Sequence, residues 1–306
     1  MIPPWYTRLY RQWCGADPID VPLQKVLRIN TLKTSEQEVK LFFAKQGVRL
    51  KKIPYLSSGF VLEDTTFNVV SSSMYLQGAI YLQDAASQFA AEALGVSKGS
   101  LVLDMCASPG GKASHLAQLM ENTGSVICVE SKAIRVPKLK NNFERLGVAN
   151  SAVYVTDATM FDADLQFDFI LLDAPCSGNY VTDANWFEKR EALALSGEGL
   201  SSLINTQKEL LEHAVFLLKQ KGRVLYCTCS LNPEENEDVI AWALSTLSVG
   251  LVEMPRFGGC PTVQGITKQD EFKDELKKTL RFWPHLSGTQ GFFLALLEKK
   301  ESSSDH

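Results

Sequence analysis

No CxxC pair occurs among the seven cysteines of this 306-residue chain, and its four histidines, His115, His213, His285 and His306, are scattered. A structural zinc site draws on clustered thiols and imidazoles, so this pattern argues against one. The cysteine count is odd and the chain is large, so reduced thiols are expected rather than a disulfide framework. No apolar run approaches the ~20 residues that cross a bilayer. The opening MIPPWYTRLYRQW lacks the apolar stretch and small-residue cleavage site of a secretory signal. The expectation is a soluble, cytoplasmic, monomeric protein with neither metal nor membrane partner. Net charge is −4, which gives no global attraction to nucleic acid. Two basic clusters stand out: Lys45, Arg49, Lys51 and Lys52, and Lys132, Arg135, Lys138 and Lys140. On charge alone each reads as a solvated face. No internal repeat is present.

Two patterns divide the chain. Residues 26–95 read as a small α+β unit of βαβ type. VLRIN is a strand, and Ser35 with Glu38 has capping-box spacing. The helix begun there should end near Gly47, and VRLKKI and FVLE are further strands. From about residue 100, apolar strands alternate with amphipathic helices. The helix expected over 203–220 places Leu203, Leu210, Leu211, Ala214, Leu217 and Leu218 on one face. Such alternation implies an α/β fold with a mostly parallel sheet covered on both sides. The division expected is an RNA-binding-like module over 1–95, a catalytic domain over 96–300 and a frayed tail over 301–306.

Ligands of such sheets bind outside the carboxyl ends of the strands. The first end, LDMCASPGGK, carries Asp104, Cys106, Ala107, Pro109, Gly110, Gly111 and Lys112. Its glycines permit close backbone approach at a helix N-terminus. A Walker A loop would need glycine where Cys106 stands, and GxGxxG is absent. The loop therefore suits neither ATP phosphates nor a dinucleotide. By itself it is an ordinary strand–helix turn. Glu130 closes the second strand, where a carboxylate accepts ribose hydroxyls, with Arg135 in the helix that follows. Asp157 closes the third, placed for an adenine edge or for capping a turn. Three acidic strand ends in order point to an adenosine-containing cofactor without a bound phosphate, which S-adenosylmethionine fits. The fourth end carries Asp173, Pro175 and Cys176; the fifth carries Cys227, Thr228 and Cys229.

DMCASPGGK, LLDAPCSG and YCTCSLNPEENE, with LRINTLK, YLQDAAS and RFWPHLSGTQGFF, resemble the Sun-domain family of S-adenosylmethionine-dependent RNA 5-methylcytosine methyltransferases. The resemblance runs through nearly the whole chain. It implies a Rossmann-like class I methyltransferase sheet with helices on both faces and an RRM-like N-terminal module. It also implies that Cys229 is the nucleophile, that Cys176 assists release, and that Asp173 and Lys112 act beside them. Cys106, Ala107, Pro109, Gly110, Gly111, Lys112, Glu130, Arg135, Asp157 and Asp173 would line the cofactor site. The chemistry needs such a thiol. Carbon 5 of cytosine is a poor nucleophile until a thiolate adds at carbon 6. Asn232, Pro233 and Glu235 read as a cap, a first helical proline and a capping-box glutamate whose helix favours a thiolate at Cys229. Cys106, Cys128 and Cys227 read as packing residues, and His285 as a structural hydrogen-bond partner.

The family pattern is not followed everywhere: Ser108, Ala113 and the stretch CSGNYVTDANWFEKR depart from it. The substrate expected is RNA, tRNA in preference to rRNA because the chain is compact. Arg28, Lys33, Arg49, Lys51 and Lys52 would contribute contacts. A cofactor-binding RNA scaffold with little turnover is the alternative. A DNA 5-methylcytosine enzyme is disfavoured, because it would use the Pro-Cys thiol as nucleophile.

Overall fold

A computed structural model describes residues 2–19, 23–63, 66–178, 197–255, 258–266 and 271–301. The chain forms two compact units. One comprises Gln24–Leu171 with Pro255–Cys260; the other comprises Met1–Leu23, Leu172–Met254 and Pro261–His306.

The first unit begins with β1 (Val26–Ile29), α2 (Glu36–Lys45), β2 (Leu50–Lys52), β3 (Gly59–Leu62), α3 (Ser73–Leu76) and β4 (Ile80–Leu82). Helix α1 (Pro4–Cys14) precedes them in sequence but belongs to the second unit, although residues 1–23 were grouped above with the small module. The strand order is β2-β3-β1-β4. Strand β3 is antiparallel to both β1 and β2, so β1-α2-β2 is a split βαβ. Ser35 accepts from the Glu38 amide and the Glu38 carboxylate accepts from the Ser35 amide, closing the expected capping box. The Leu27, Ile29, Val39, Phe43, Phe60 and Ile80 side chains fill the core of this sheet. Strand alternation sends Arg28 to the opposite face.

Helix α4 (Ala85–Ala93) leads into β5 (Leu101–Asp104), α5 (Gly111–Leu119), β6 (Ser125–Val129), α6 (Val136–Leu146), β7 (Ser151–Tyr154) and β8 (Phe167–Asp173). Their order is β8-β5-β6-β7, all parallel. The register Asp104↔Cys128 and Cys128↔Val153 brings the carboxyl ends of β5, β6 and β7 level. Strand β8 contributes to both units, since its last two residues fall in the second.

In the second unit follow α7 (Gly197–Leu217), β9 (Leu218–Thr228), α8 (Glu237–Thr246), β10 (Val249–Leu251), β11 (Thr262–Gln264), α9 (Lys273–Leu276), β12 (Leu280–Phe282), α10 (Pro284–Ser287) and β13 (Phe292–Lys299). Leu210, Leu211, Ala214, Leu217 and Leu218 are buried, as their spacing predicts. The helix, however, begins at Gly197, and Leu218 already belongs to β9. Strands β11, β12, β13 and β9 pair antiparallel in that order, and β10 pairs β13 antiparallel. The sheet is therefore more mixed than the alternation alone suggests. Tyr6 and Tyr10 of α1 bury against Leu231 and Trp283.

No helix of the described residues is long and apolar enough to cross a membrane.

Candidate active site

In the first unit the ends of β5 and β6 are bound into one frame. Asp104 is buried, and its carboxylate accepts from the Cys106 amide at 3.2 Å. The Ala107 amide donates to the Val129 carbonyl at 3.0 Å, and the Gly110 amide donates to the Ala107 carbonyl at 2.7 Å. Gly110 sits at φ +96°, and a Cβ there would lie 2.7 Å from Leu139 Cδ1. Only glycine fits this turn on both counts. Pro109 is exposed, and its carbonyl accepts from Asn142 Nδ2 at 2.8 Å. Glu130 is 2% exposed; it accepts from the Lys132 amide at 2.8 Å and lies 3.2 Å from Arg135 Nη1. Arg135 Nη2 donates to the Ser108 carbonyl at 2.7 Å, so this arginine ties the glycine loop to Glu130. Asp157 is exposed and accepts from the Thr159 amide and hydroxyl, which is the turn-capping role. Lys112 is half-buried at the second position of α5.

These strand ends fit an adenosine carrying an amino-acid arm. The first turn of α5 follows a glycine turn packed against Leu139 and Tyr81, and a buried carboxylate follows the second strand. Ile134 and Met160, on the segments after β6 and β7, are 88% and 75% exposed. They offer apolar surface for a flat base. Sequence periodicity gave no signal for either, because both lie in turns.

In the second unit, strand β9 delivers two of the thiols. The Ala174 amide donates to the Cys227 carbonyl at 2.9 Å, which joins the DAPC segment to β9. Cys176 Sγ and Cys229 Sγ are 3.1 Å apart, both half-buried. The hydrogen bond to Cys229, burial, and the charges of Glu235 and Asp173 push the Cys176 thiol well above its ordinary value. Cys227 is fully buried, as expected for a core residue, but its thiol also reaches Asp173 Oδ1 at 3.6 Å. Cys128 is fully buried; Cys106 is only half-buried, on the loop itself.

Glu235 corrects its sequence reading. Asn232 does cap, accepting from the Glu234 amide at 3.1 Å, and Pro233 follows it. Only a 3-10 turn forms, Pro233–Glu235, before the backbone breaks at Asn236 and α8 begins. A single turn supplies little of the dipole expected beside Cys229. The Asn232 amide donates to Ser230 Oγ instead of to Glu235, so no capping box closes. The fully buried Glu235 carboxylate instead accepts from the Ser177 amide at 2.8 Å and hydroxyl, from Ser230 Oγ at 2.6 Å and from Gln207 Nε2 at 3.1 Å. Gln207 Nε2 also donates to the Pro175 carbonyl at 2.9 Å. One carboxylate thus grips the neighbours of both thiols.

His285 Nδ1 and Tyr10 Oη are 2.6 Å apart within an aromatic cluster, a structural hydrogen bond as expected. Arg28 is fully buried and so cannot be the RNA contact expected of it. Lys33, Arg49 and Lys51 are exposed, and Lys52 is half-exposed over the Phe60 ring. Most of the divergent stretch after Cys176, residues 179–190, lies outside the described residues, as does the tail from residue 302. Among the described residues no group of three or more His, Cys, Asp or Glu could hold a metal ion.

Residues 91–298 match the model of the 16S rRNA methyltransferase RsmB/F family. The chain belongs to this family. Residues 16–85 match the N-terminal domain of 16S rRNA methyltransferase RsmF. A 28S rRNA (cytosine-C(5))-methyltransferase of Mus musculus is 35% identical over 93% of this chain and 36% of its own length. Ribosomal RNA small subunit methyltransferase F of Shewanella sediminis is 36% identical over 91% of this chain and 58% of its own. The chain thus spans between about a third and three-fifths of these relatives. A methyltransferase homolog from Pyrococcus horikoshii superposes with TM-score 0.83 at 32% identity, covering 97% of this chain and 100% of its own. NSun6 from the same organism gives 0.81 at 22% identity over 98% and 99%, a likeness of fold. The RsmB/F chain therefore has a Rossmann-like methyltransferase fold with an N-terminal α+β module.

Proposed function

We propose that this chain is an S-adenosylmethionine-dependent RNA cytosine-C5 methyltransferase with Cys229 as nucleophile. The observation that carries the reading is the pair of thiols, Cys176 and Cys229, with sulfurs 3.1 Å apart. Family membership supports it. When bound, S-adenosylmethionine supplies an electrophilic methyl group. The chain's residues make the cytosine able to take it. The base must leave its stack to reach a half-buried thiol. Cys229 Sγ, as thiolate, bonds to carbon 6, and the carbon 5–carbon 6 electron pair makes carbon 5 nucleophilic. Asp173 hydrogen-bonds the ring and holds it in place while carbon 5 is activated. Once carbon 5 carries the methyl, its proton passes to a base. The carbon 6–sulfur bond then breaks and its electrons return to Cys229. Cys176, kept protonated by its surroundings, hydrogen-bonds the departing sulfur. Glu130 takes the ribose hydroxyls, and the loop from Cys106 to Lys112 takes the amino-acid arm, with Arg135 and Asp157 at its edges.

Between the RNA classes, rRNA is favoured by the rRNA names of relatives 34–36% identical. Compactness, the ground for tRNA, does not separate the two. Bisulfite mapping of RNA from cells with and without the gene decides, and a lost tRNA signal with intact rRNA overturns the rRNA assignment. Cys229→Ala should lose transfer by at least about a hundredfold, and transfer that persists overturns the nucleophile. Cys176→Ala should leave a slow-migrating protein–RNA adduct on denaturing gels. A scaffold role predicts donor binding with no methylated RNA at all.

A further inference from the structure

The mid-strand position of β1 holds an arginine that no surface role explains. Arg28 is fully buried, and the one carboxylate whose charge is felt there, Glu92, makes no hydrogen bond to it. Burying a guanidinium without a hydrogen-bonded carboxylate is costly, and an apolar side chain would pack there without that cost. Burial pushes its pKa from the usual guanidinium range down to about 9, so it stays charged at neutral pH. Its hydrogen bonds show what the charge is used for. Nη1 donates to the Gly111 carbonyl at 2.8 Å and to Gln83 Oε1 at 3.1 Å. Nη2 donates to Ser114 Oγ at 2.8 Å, and that hydroxyl donates to the same Gly111 carbonyl at 3.1 Å. The Tyr81 ring centroid lies 5.4 Å from the guanidinium carbon, and a Cβ at Gly111 would lie 3.1 Å from Tyr81 Cε1.

The Gly111 carbonyl and the Lys112 amide belong to one planar peptide unit. A clamp on the carbonyl therefore sets the direction of the amide. That amide lies in the first turn of α5, at the N-terminal end of the helix. We propose that Arg28, with Gln83 and Ser114, is a positioning residue for the methyl donor, fixing the peptide that opens α5 so that it meets the donor's amino-acid arm. The small module thereby acts in cofactor binding and not only toward RNA. The inference rests on the donor-loop reading of residues 106–112.

The test is the donor affinity of the full chain without RNA, by titration calorimetry with S-adenosylmethionine. Arg28→Met should weaken it by about tenfold or more, and Ser114→Ala by a few-fold. Arg28→Lys, which keeps the charge but not the fork, should fall between wild type and Arg28→Met. In turnover, the donor KM should rise more than kcat falls, with RNA affinity by filter binding changed less than donor affinity. A folded Arg28→Met with donor affinity within twofold of wild type, and only a lower Tm, overturns the proposal. If Arg28→Met does not fold, unchanged affinity in both Ser114→Ala and Gln83→Ala overturns it. Wild-type protein that binds no S-adenosylmethionine overturns the donor-loop reading itself, a result distinct from wild-type binding that survives in the variants.

Discussion

Glu235 and Cys176 show how single side chains set the surroundings of a thiol pair. A buried carboxylate with four donors around it is stable only while all four remain. Glu235→Ala should destabilise the chain by about 3 kcal/mol in denaturant titration. Glu235→Gln keeps the shape but puts an amide where a donor already points. It should cut methyl transfer by about tenfold or more at saturating RNA, and an unchanged rate would count against the clamp. His115 is the second residue with a measurable signature. It is fully buried, and burial and the Arg28 charge hold its pKa well below 6.5. Glu92 Oε1 lies 3.7 Å from its Nε2, but a neutral imidazole makes no ion pair there. The folded chain thus excludes a proton that the unfolded chain binds below that pH. Stability is full above pH ~6.5 and declines as pH falls, by at most about 1.4 kcal/mol per unit. His115→Leu should flatten the fall of Tm between about pH 7 and 5 relative to wild type. An equal slope in both would show that the imidazole is not the source.

Among the elements, α2 is the one whose start is written out in sequence and realised atom for atom. Ser35→Ala removes the acceptor of the Glu38 amide and should cost about 1 kcal/mol, read as a lower Tm with donor affinity unchanged. A loss of donor affinity in this variant would show that α2 reaches further than its own cap. The ends of β5 and β6, at Asp104 and Glu130, were legible for a different reason. Parallel strands buried in a sheet read as continuous apolar runs, and their ends are marked by the first polar residue; β7, a half-exposed edge strand, ends at Tyr154, three residues before Asp157. Strands β10, β11 and β12 were not legible. Each has three residues, too few for a period, and their pairing is long-range. The turn at Pro233–Glu235 carried a sound capping signal and still failed to start an α-helix. The Ser177 and Ser230 donors outbid the local box for the glutamate.

For the molecule as a whole, a net charge of −4 means that the RNA of the proposed function would have to be held by local basic groups. Arg49 has an 85% exposed side chain, its contact with Glu63 is a long 3.5 Å, and Lys51 is exposed. Neutralising both, as Arg49→Gln with Lys51→Gln, should lower the slope of log K against log salt by about 2 and weaken all RNAs alike. An unchanged slope would move the RNA face elsewhere. What the sequence by itself determined was the class of fold, the order of the strand ends and the two thiols, Cys176 and Cys229, that the structure brings within 3.1 Å. Those depend on local pattern and on residue types that the chemistry requires. The tertiary structure alone decided what Arg28 and Glu235 do. Arg28 was read as a surface cation and Glu235 as a helix cap, yet both are buried polar groups. Such a group takes its role from whichever distant donors and acceptors satisfy it, here Gly111 and Ser114 for one and Ser177 and Ser230 for the other. No spacing along the chain encodes those partners.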